Sequence, residues 1–409
     1  MNRPAKTWIP YVIALALLIA SAAIRVASYP VVSADYVASL SHWMAALRGS
    51  PGLTAFQHPF SDYAPLYLYL LKGLTLLPGY DLYWIKTLSL LFDMALALVI
   101  VLLARRSGRG YSGRALFLIF AIVLAVPTVM MNSSLWGQCD SIFATFVLLT
   151  LLFMLKDRPV WAMAAFGLAI SFKLQAVFLG PVVLGYLLTK KQWGYIFILP
   201  AVFAATIVPA ALSGGPFWYM LFTYLRQAGE FQQLSLSAPT VFSFVPAGVS
   251  PAISTILSVA GYLVAASIAF VLVVLTKNLI DSYGRSDPGD PGDSAAYATY
   301  QRRMIFLGLL SVLAVPFFLP HMHDRYFYLA DVISVAYAVF EPKRWYIAAI
   351  IVISSSFAYM PFLSGQVPLF SRLYVDLAYF GAALLVLILG LIPIVLRISR
   401  ESRMPREAD

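Results

Sequence analysis

The stretch Leu82–Ala104 reads LYWIKTLSLLFDMALALVIVLLA, and arginines follow it at positions 105, 106, 109 and 114. As an α-helix rising about 1.5 Å per residue, this run is long enough to cross the ~30 Å hydrocarbon core of a bilayer. Lysine and arginine collect in loops on the cytoplasmic side, so the end at Ala104 is predicted to face the cytoplasm. This segment therefore indicates both a membrane-spanning helix and its direction.

The composition of the whole chain extends this prediction. Charged residues make up 11% of the 409 residues, against roughly 25% in soluble domains, and hydrophobic residues make up 61%. Such a chain cannot cover a soluble surface with polar groups, so the predicted fold class is all-α, a polytopic membrane helical bundle. The single cysteine, Cys139, excludes a disulfide framework. The net charge of +10 is assigned to cytoplasmic loops, and no nucleic-acid partner is expected.

The apolar runs predict about twelve transmembrane helices in one integral membrane domain, with both termini in the cytoplasm. The predicted spans are 8–27, 82–104, 115–131, 140–156, 159–172, 174–189, 193–212, 254–276, 304–319, 323–340, 345–361 and 374–397. Most of the 28 lysines and arginines then lie on the cytoplasmic side, which supports the assignment. Within the domain we expect an N-terminal block at 1–276 with a catalytic loop at 28–81, a cytoplasmic linker at 277–303, and a C-terminal block at 304–409.

Two short segments complete the topology. Pro65–Pro78 is apolar, but its length is small for a span, and its crossing would put the four arginines after Ala104 outside. It is therefore predicted to lie at the interface without crossing. Both ends of 159–189 are basic and are predicted to face the cytoplasm. This segment is therefore predicted to form a short hairpin that enters the membrane and returns, with its apex at 171–175 inside the protein. Lys173 at that apex needs an anionic partner or ligand.

Five polar clusters from distant parts of the chain fall at the extracytoplasmic ends of the predicted spans. They are Ser33–Tyr36, Ser61–Pro65, Trp136–Ser141, Phe172–Gln175 and His321–Tyr326. Ionisable groups at membrane depth are costly and by default mark a functional site. The clusters therefore predict an active-site cavity that opens outward.

The last cluster has helical spacing. His321, Asp324, Tyr328 and Asp331 step by three and four, which predicts one face of a helix that begins after Pro320. A helix N-terminus that carries Arg325 and histidines suits a phosphate group. His321 and His323 also have the spacing of a metal-binding pair, but no further cluster with ligand spacing accompanies them, so no metal site is predicted.

Other polar residues have structural alternatives. Asp81 and Asp140 stand where helix caps are common, so each could cap a helix instead of serving a site. Lys86 and Asp93 lie seven residues apart in the second span and could make structural polar contacts.

In their order along the chain, the motifs resemble those of GT-C membrane glycosyltransferases. The closest resemblance is to bacterial proteins related to the GPI-anchor mannosyltransferase, and the chain is also similar to the glucosyltransferases that extend the dolichol-linked N-glycan precursor. The motifs are Asp35-Tyr36, Asp62-Tyr63-Ala-Pro65, Trp136-Gly-Gln-Cys-Asp140-Ser, Gly167-Leu-Ala-Ile-Ser-Phe-Lys173-Leu-Gln175 and His321-Met-His-Asp-Arg-Tyr-Phe-Tyr328. No single motif is specific for this family, but the occurrence of all five motifs in the same order is specific.

The resemblance implies a GT-C fold with interfacial helices in the first outward loop. Such enzymes move a sugar from a polyprenyl-phosphate donor to an acceptor hydroxyl outside the cytoplasm. By similarity, Asp35 is the general base, and the segment from His321 to Asp324 belongs to the donor-phosphate and catalytic region. This chain departs from the glucosyltransferases in the Asp-Arg-Tyr-Phe that follows the second histidine. It therefore stays open which of His321, His323 and Arg325 holds the phosphate.

We therefore expect an inverting hexosyltransferase, specific for mannose or glucose, in a bacterial plasma membrane with its active site facing outward. Its partners would be the polyprenyl-phosphate-linked sugar, a lipid- or glycan-borne acceptor and membrane lipids. The catalytic candidates are Asp35, its competitor Asp62, His323 and Asp324. The substrate-binding candidates are Tyr36, Tyr63, Trp136, Gln138, Asp140, Lys173, Gln175, His321, Arg325, Tyr326 and Tyr328.

Two other classes of protein remain as alternatives. A transporter or flippase would show inverted repeats and a site at the membrane midplane, whereas this chain has no repeat at a fixed period and its clusters lie on one side. An assembly scaffold would not require Lys173 or the pair of Asp35 and Arg325. No resident cofactor is expected, although other GT-C enzymes need a divalent ion and that possibility stays open.

Overall fold

The computed structural model describes residues 8–189, 193–227, 233–246, 248–283, 293–373 and 375–403. Parts of several predictions lie outside these residues. They are positions 1–7 of the predicted N-terminal block, the basic residues Lys190 and Lys191 that follow the predicted hairpin, positions 284–292 of the predicted linker, Tyr374 at the start of the last predicted span, and positions 404–409 at the end of the predicted C-terminal block.

Almost all regular structure in the described residues is helical. The α-helices in chain order are α1 (Ile9–Ser28), α2 (Ser41–Gly49), α3 (Pro65–Leu74), α4 (Asp81–Arg106), α5 (Gly113–Leu124), α6 (Pro127–Met130), α7 (Asp140–Leu155), α8 (Pro159–Phe172), α9 (Gly180–Thr189), α10 (Ile198–Leu212), α11 (Phe217–Leu221), α12 (Thr223–Gln227), α13 (Pro251–Tyr283), α14 (Asp293–Phe318), α15 (Tyr328–Phe340), α16 (Trp345–Leu363), α17 (Pro368–Arg372) and α18 (Leu377–Arg403).

Shorter elements join these helices. The π-helices are Tyr36–Leu40 and Met131–Trp136, and the 3-10 helices are Thr54–Gln57, Leu174–Leu179, Trp193–Phe197, Val241–Phe244, Asp324–Phe327 and Pro342–Arg344. Two strands, β1 (Ser235–Leu236) and β2 (Met322–His323), form a parallel pair.

The all-α, polytopic membrane class is confirmed. Seven helices in the described part of the chain are long and apolar enough to cross a membrane. An eighth candidate is the pair Gly113–Leu124 and Pro127–Trp136, which is bent by 55°. Other predicted spans correspond to shorter apolar helices, namely Asp140–Leu155, Pro159–Phe172 and Leu174–Thr189. The total of twelve crossings therefore stays a prediction.

Contacts group the chain into two compact units, whose segments alternate along the sequence. The first unit consists of Met1–Leu149, Ala164–Leu174 and Ile198–Glu230. The second consists of Thr150–Met163, Gln175–Phe197 and Phe231–Asp409. The predicted division at 277–303 falls partly outside the described residues and stays a prediction.

In the first unit, the segment predicted to lie at the interface forms a short helix. Helix α3 has ten residues, about 15 Å in length, which is half of what a span needs. Its Lys72 ammonium donates to the carbonyls of Leu47 (2.7 Å) and Ser50 (2.6 Å) at the end of α2. These hydrogen bonds hold α3 against α2 and stabilise the charged ammonium of Lys72. The side of the membrane on which each loop lies stays a prediction.

The helix-cap alternative for Asp81 is wrong. The N-cap residue of α4 is Tyr80, which makes no side-chain cap, and Asp81 is the first residue of the helix. Its carboxylate pairs with Arg48 of α2 instead. A carboxylate in the first turn of a helix is also favoured by the helix dipole.

A buried ion pair joins α1, α4 and the second π-helix in the first unit. Arg25 is 4% exposed and Asp93 is fully buried, and the guanidinium Nη1 lies 2.7 Å from the carboxylate Oδ2. The Ser133 hydroxyl donates to the same oxygen at 2.6 Å. Further hydrogen bonds from the guanidinium go to Ser21 Oγ, Ser133 Oγ, Ser134 Oγ and the Leu124 carbonyl. Both charges are thus paired and hydrogen-bonded, as burial demands.

Lys86, on the same helix as Asp93, also has a structural partner set. Its ammonium donates to the carbonyls of Ser28 (2.9 Å), Tyr29 (3.1 Å) and Val31 (2.7 Å) at and just beyond the end of α1. A lysine at a helix C-terminus satisfies carbonyls that have no partner within the helix. The structural interpretation of Lys86 and Asp93 is confirmed.

In the second unit, α13 packs on α9 and α14, α14 packs on α15, and α16 packs on α15 and α18. Gly185 of α9 lets this helix approach α13 closely. A Cβ at this position would lie 2.7 Å from the Val273 carbonyl oxygen. Small residues allow such close packing of membrane helices.

The Arg25–Asp93 pair yields a stability prediction. Asp93→Leu leaves a buried guanidinium without a counter-ion and should cost about 3–5 kcal/mol, whereas Arg25→Met combined with Asp93→Leu should recover most of that loss. The measurement is thermal unfolding of the full chain in nanodiscs. The matched control is the partly exposed pair Arg48–Asp81, where Asp81→Leu should cost about 1 kcal/mol or less. A double variant as unstable as Asp93→Leu alone would contradict the prediction.

Candidate active site

Asp35 lies at the start of the π-helix Tyr36–Leu40 in the first unit, and its side chain is held by two neutral donors. Its carboxylate Oδ2 accepts a hydrogen bond from the Trp136 indole at 3.0 Å and a second one from the Gln138 amide. Trp136 and Gln138 are buried, while Asp35 is half-buried. The three residues, which were predicted to belong to one site, are therefore in contact.

The backbone around Trp136 explains how these donors reach Asp35. Gly137 follows the π-helix with a φ of +81°, a left-handed conformation that glycine adopts without penalty. This turn lets the Gln138 N–H donate to the Asn132 carbonyl at 2.9 Å. The Ser33 hydroxyl donates to the Trp136 carbonyl at 2.7 Å and so ties the Asp35 segment to the turn. π-Helical turns are frequent at functional sites.

Lys173 and Asp140 form a second buried pair in the same unit. Lys173 is 5% exposed directly after α8, and its ammonium pairs with the Asp140 carboxylate at the start of α7. The other carboxylate oxygen accepts from the Asn132 amide at 2.7 Å. The prediction that Lys173 is buried and needs an anionic partner is confirmed. Asp140 serves as that partner and is not a helix cap.

One aromatic ring, that of Tyr63, lies beside the ammonium of Lys173. The centroid of the Tyr63 ring lies 5.7 Å from Lys173 Nζ, within the range of a cation–π contact. Tyr63 packs in turn on Trp43 at 5.0 Å and on Tyr67 at 5.6 Å between ring centroids. The Tyr67 ring is buried, and burial raises the pKa of its hydroxyl well above the ordinary value.

Tyr36 and Asp62 are placed differently from the Asp35 donors. The Tyr36 ring packs edge-on against Tyr80, and burial followed by its hydrogen bond to Tyr80 raises the pKa of the Tyr36 hydroxyl. Asp62 is exposed on the loop before α3, where its backbone carbonyl accepts from Gln227 at 2.6 Å. The N-cap residue of α3 is Ala64, so Asp62 does not cap this helix.

The histidine cluster lies in the second unit and departs from its predicted helical face. His321 is not helical: its φ is +64°, and its N–H donates to the Leu234 carbonyl at 2.9 Å. His323 follows in β2 and pairs with Leu236. Helical structure begins only at Asp324, and α15 only at Tyr328. The prediction of one helical face from His321 to Asp331 is therefore wrong, because the backbone of the two histidines is hydrogen-bonded to the segment at 234–236 and is extended or left-handed instead of helical.

The His321 ring has a defined hydrogen bond. Its Nδ1 lies 2.8 Å from the Gln233 carbonyl oxygen. A carbonyl only accepts, so Nδ1 carries the proton, and Nε2 carries one only in the cationic ring. His321 could therefore donate to an anion through Nε2 only when it is protonated.

The remaining candidates of the second unit surround this segment. Asp324 is buried, and its carboxylate accepts from the Arg325 N–H at 2.8 Å. The Tyr326 ring packs on His323 at 5.2 Å and on Phe178 at 6.3 Å between centroids. Tyr328 is buried at the start of α15. Gln175 is half-buried on the 3-10 helix Leu174–Leu179.

The candidate residues thus form two groups, one in each unit. The first unit holds Asp35, Tyr36, Asp62, Tyr63, Trp136, Gln138, Asp140 and Lys173; the second holds Gln175, His321, His323, Asp324, Arg325, Tyr326 and Tyr328. That both groups line one outward cavity stays a prediction. Within the part of the chain that the structure describes, no three His, Cys, Asp or Glu side chains are grouped so that they could hold a metal ion.

Sequence reasoning missed Asn132, which links the two parts of the first group. The side-chain amide of Asn132 donates to the Asp140 carboxylate. Its backbone carbonyl accepts from the backbone N–H of Gln138, and the side-chain amide of Gln138 donates to Asp35. The only signal in the sequence was an asparagine in an apolar region a few residues before the Trp136 motif.

These features define a polytopic membrane protein with a polar site built from helix ends and the loops between them. The family model of glycosyltransferase family 87 matches residues 60–283, more than half of the chain, and the chain belongs to that family. No curated protein sequence matches it. The expected class, a membrane glycosyltransferase, is thereby confirmed, and this favours an enzyme over the transporter and scaffold alternatives. Kinship with mannosyl- or glucosyltransferases in particular stays a prediction.

Gly137 offers a test of the site's geometry. Gly137→Ala puts a Cβ 3.6 Å from Leu82, an ordinary contact, so the cost is the left-handed backbone, roughly 1–2 kcal/mol. We expect sugar transfer to fall by roughly 10- to 100-fold as Gln138 shifts from Asp35. The matched control is Gly110→Ala, which has a φ of +63° and open space around it. It should lose similar stability in thermal unfolding and keep its activity; equal activity in the two variants would contradict the assignment.

Proposed function

We propose that this glycosyltransferase moves a hexose, mannose or glucose, from a polyprenyl-phosphate donor to an acceptor hydroxyl on the extracytoplasmic side, with inversion and with Asp35 as the general base. The observation that carries the proposal is the orientation of the Asp35 carboxylate by Trp136 and Gln138. These two donors fix the direction of the carboxylate. A carboxylate held in this way can accept a proton from a hydroxyl within reach.

The reaction is a single displacement. Asp35 takes the proton of the acceptor hydroxyl while that oxygen attacks the anomeric carbon. The bond between the anomeric carbon and the phosphate oxygen breaks, and polyprenyl phosphate leaves with the bonding electrons. Attack from the side opposite to the leaving group inverts the anomeric carbon.

The departing phosphate needs positive charge. We assign this role to Arg325 with His321 and His323. The Lys173 ammonium pairs with the Asp140 carboxylate in the first unit. Asp324, whose carboxylate binds the Arg325 N–H, would hold the backbone of that segment. His321 would contribute as the protonated ring, since its Nδ1–H is engaged by Gln233.

The setting follows from the same chemistry. The polyprenyl tail would lie among the apolar helices, open to lipid, in a bacterial plasma membrane with the active site outward and both termini inside. We propose that no metal is required. Transfer that stops on chelation and returns with a divalent ion would overturn this part.

The test uses the purified chain in nanodiscs with radiolabelled polyprenyl-phosphate mannose and, separately, polyprenyl-phosphate glucose, together with a glycolipid extract as the acceptor source. We expect transfer from one of the two donors. Asp35→Asn keeps the shape and removes the proton acceptor, so turnover should fall roughly 10²–10⁴-fold while donor binding survives.

Asp62→Asn is the matched control, because Asp62 lies in the same outward loop. Near-normal turnover by Asp35→Asn with collapse in Asp62→Asn would move the base to Asp62. Transfer from a nucleotide sugar, with none from either polyprenyl phosphate, would overturn the donor class.

A further inference from the structure

The outward loop of the first unit forms an open pocket beside the Lys173 cluster. The empty space in it, counted together with the solvent at its open mouth, amounts to about 340 Å³. It is lined by Phe56, His58, Pro59, Phe60, Ser61, Tyr63, Pro65, Leu68, Pro216, Tyr219, Met220 and Thr223. One wall is the loop before α3 together with the start of α3, and the other comprises α11 and the residues on either side of it.

Side-chain hydrogen bonds tie these two walls together. Gln57 Nε2 donates to the Ser213 carbonyl at 2.9 Å, and the Ser213 hydroxyl donates to the Leu53 carbonyl at 3.1 Å. On the other side, Gln227 Nε2 donates to the Asp62 carbonyl at 2.6 Å. The pocket is therefore formed before any ligand arrives, which lowers the cost of binding.

A glycine allows the walls to meet. A Cβ at Gly215 would lie 2.8 Å from the Phe56 carbonyl oxygen and 2.8 Å from the Ala210 carbonyl oxygen. A side chain at this position would force the walls apart. The close approach sets the width of the pocket next to the Phe56 ring.

The lining is aromatic and uncharged. Five rings contribute to it, those of Phe56, His58, Phe60, Tyr63 and Tyr219. The described residues that line it include no Asp, Glu, Lys or Arg, which argues against a phosphate ligand. Ser61 and Thr223 add hydroxyl groups, and only Leu68 and Met220 add long aliphatic side chains. A polyprenyl or acyl tail would favour a more aliphatic wall.

The ligand that this lining suits is a neutral ring with apolar faces and hydroxyl groups at its edge. A pyranose has that form: its C–H faces can pack on aromatic rings, and its hydroxyls can bond to His58 and Ser61 at the rim. The Thr223 hydroxyl already donates to the Met220 carbonyl and accepts from Arg226. The Tyr219 ring is held for such stacking, because the Arg226 guanidinium lies 3.4 Å from its centroid on one side.

The pocket is continuous with the proposed catalytic group. Tyr63 lines it and also faces the Lys173 ammonium. Lys173 pairs with Asp140, which shares Asn132 with the Gln138 turn that binds Asp35. Through Tyr63, the pocket therefore contacts the group of residues that includes the proposed base.

We propose that this pocket binds a pyranose ring of the acceptor, so that the acceptor is itself glycosylated. The inference rests on the proposed function. The sugar of the donor is bonded directly to phosphate and requires cations beside it, whereas an uncharged pocket takes a sugar residue that already belongs to the acceptor.

The test measures binding without catalysis. Saturation-transfer-difference NMR of the full chain uses methyl α-D-mannopyranoside and methyl α-D-glucopyranoside as probes. The protein is held in nanodiscs, because alkyl maltoside detergents carry pyranose rings. We expect saturation of ring protons with at least one glycoside. Tyr219→Ala should weaken its binding roughly 3- to 10-fold, the range of one aromatic contact.

His58→Ala, at an exposed position of the rim, is a second variant that keeps the test decisive if Tyr219→Ala does not fold. It should also weaken glycoside binding. The matched control is Tyr346→Ala, an exposed tyrosine on α16 in the second unit, which should bind as the wild type does. Cyclohexylmethanol and butyl phosphate serve as an apolar and an anionic probe.

Absence of saturation with both glycosides, or equal binding in wild type and both pocket variants, would overturn the proposal. Equal Tyr219-dependent saturation by cyclohexylmethanol or butyl phosphate would overturn the ligand class. Failure of the proposed function is a separate result. If glycoside binding depends on Tyr219 but no sugar is transferred from any polyprenyl-phosphate hexose, the pocket still binds a pyranose and the proposed donor is wrong.

Discussion

The buried pair of Arg25 and Asp93 is the interaction on which the site depends. Inside a bilayer, a charge without a partner costs several kcal/mol, so these two groups fix the positions of the helices that carry them. The serines that complete the pair belong to the π-helix Met131–Trp136. The same π-helix ends in Trp136, and the turn after it supplies Gln138. The charge that anchors the helices thus also positions the donors of Asp35.

Much of the architecture was predictable because membrane solvation acts on composition and length. Apolar runs predicted the helical class, and the short length of Pro65–Pro78 predicted a helix that is too short to cross. The need for a partner at Lys173 was also predictable, because a lysine at the apex of a short hairpin cannot reach water. The contact of Asp35 with Trp136 and Gln138 followed from the grouping of polar clusters at one set of helix ends.

The identity of the partners was not predictable, since it depends on which helices pack together. Arg25 and Asp93 are 68 residues apart, and Asp140 and Lys173 are 33 apart. The spacing of His321, Asp324, Tyr328 and Asp331 fits a helix, yet the Leu234 carbonyl takes the His321 N–H, and β1 pairs with β2. The family match begins at residue 60, so the case for Asp35 rests on geometry and resemblance alone.

The central claim is that Asp35 acts through the orientation that Gln138 gives it. The most direct measurement is a double-mutant cycle in single-turnover sugar transfer with Asp35→Asn, Gln138→Leu and the double variant. If Gln138 works only by directing the Asp35 carboxylate, its removal should slow the wild type and should slow Asp35→Asn little further. Losses that multiply in the double variant would show that the two residues act independently and would contradict the account.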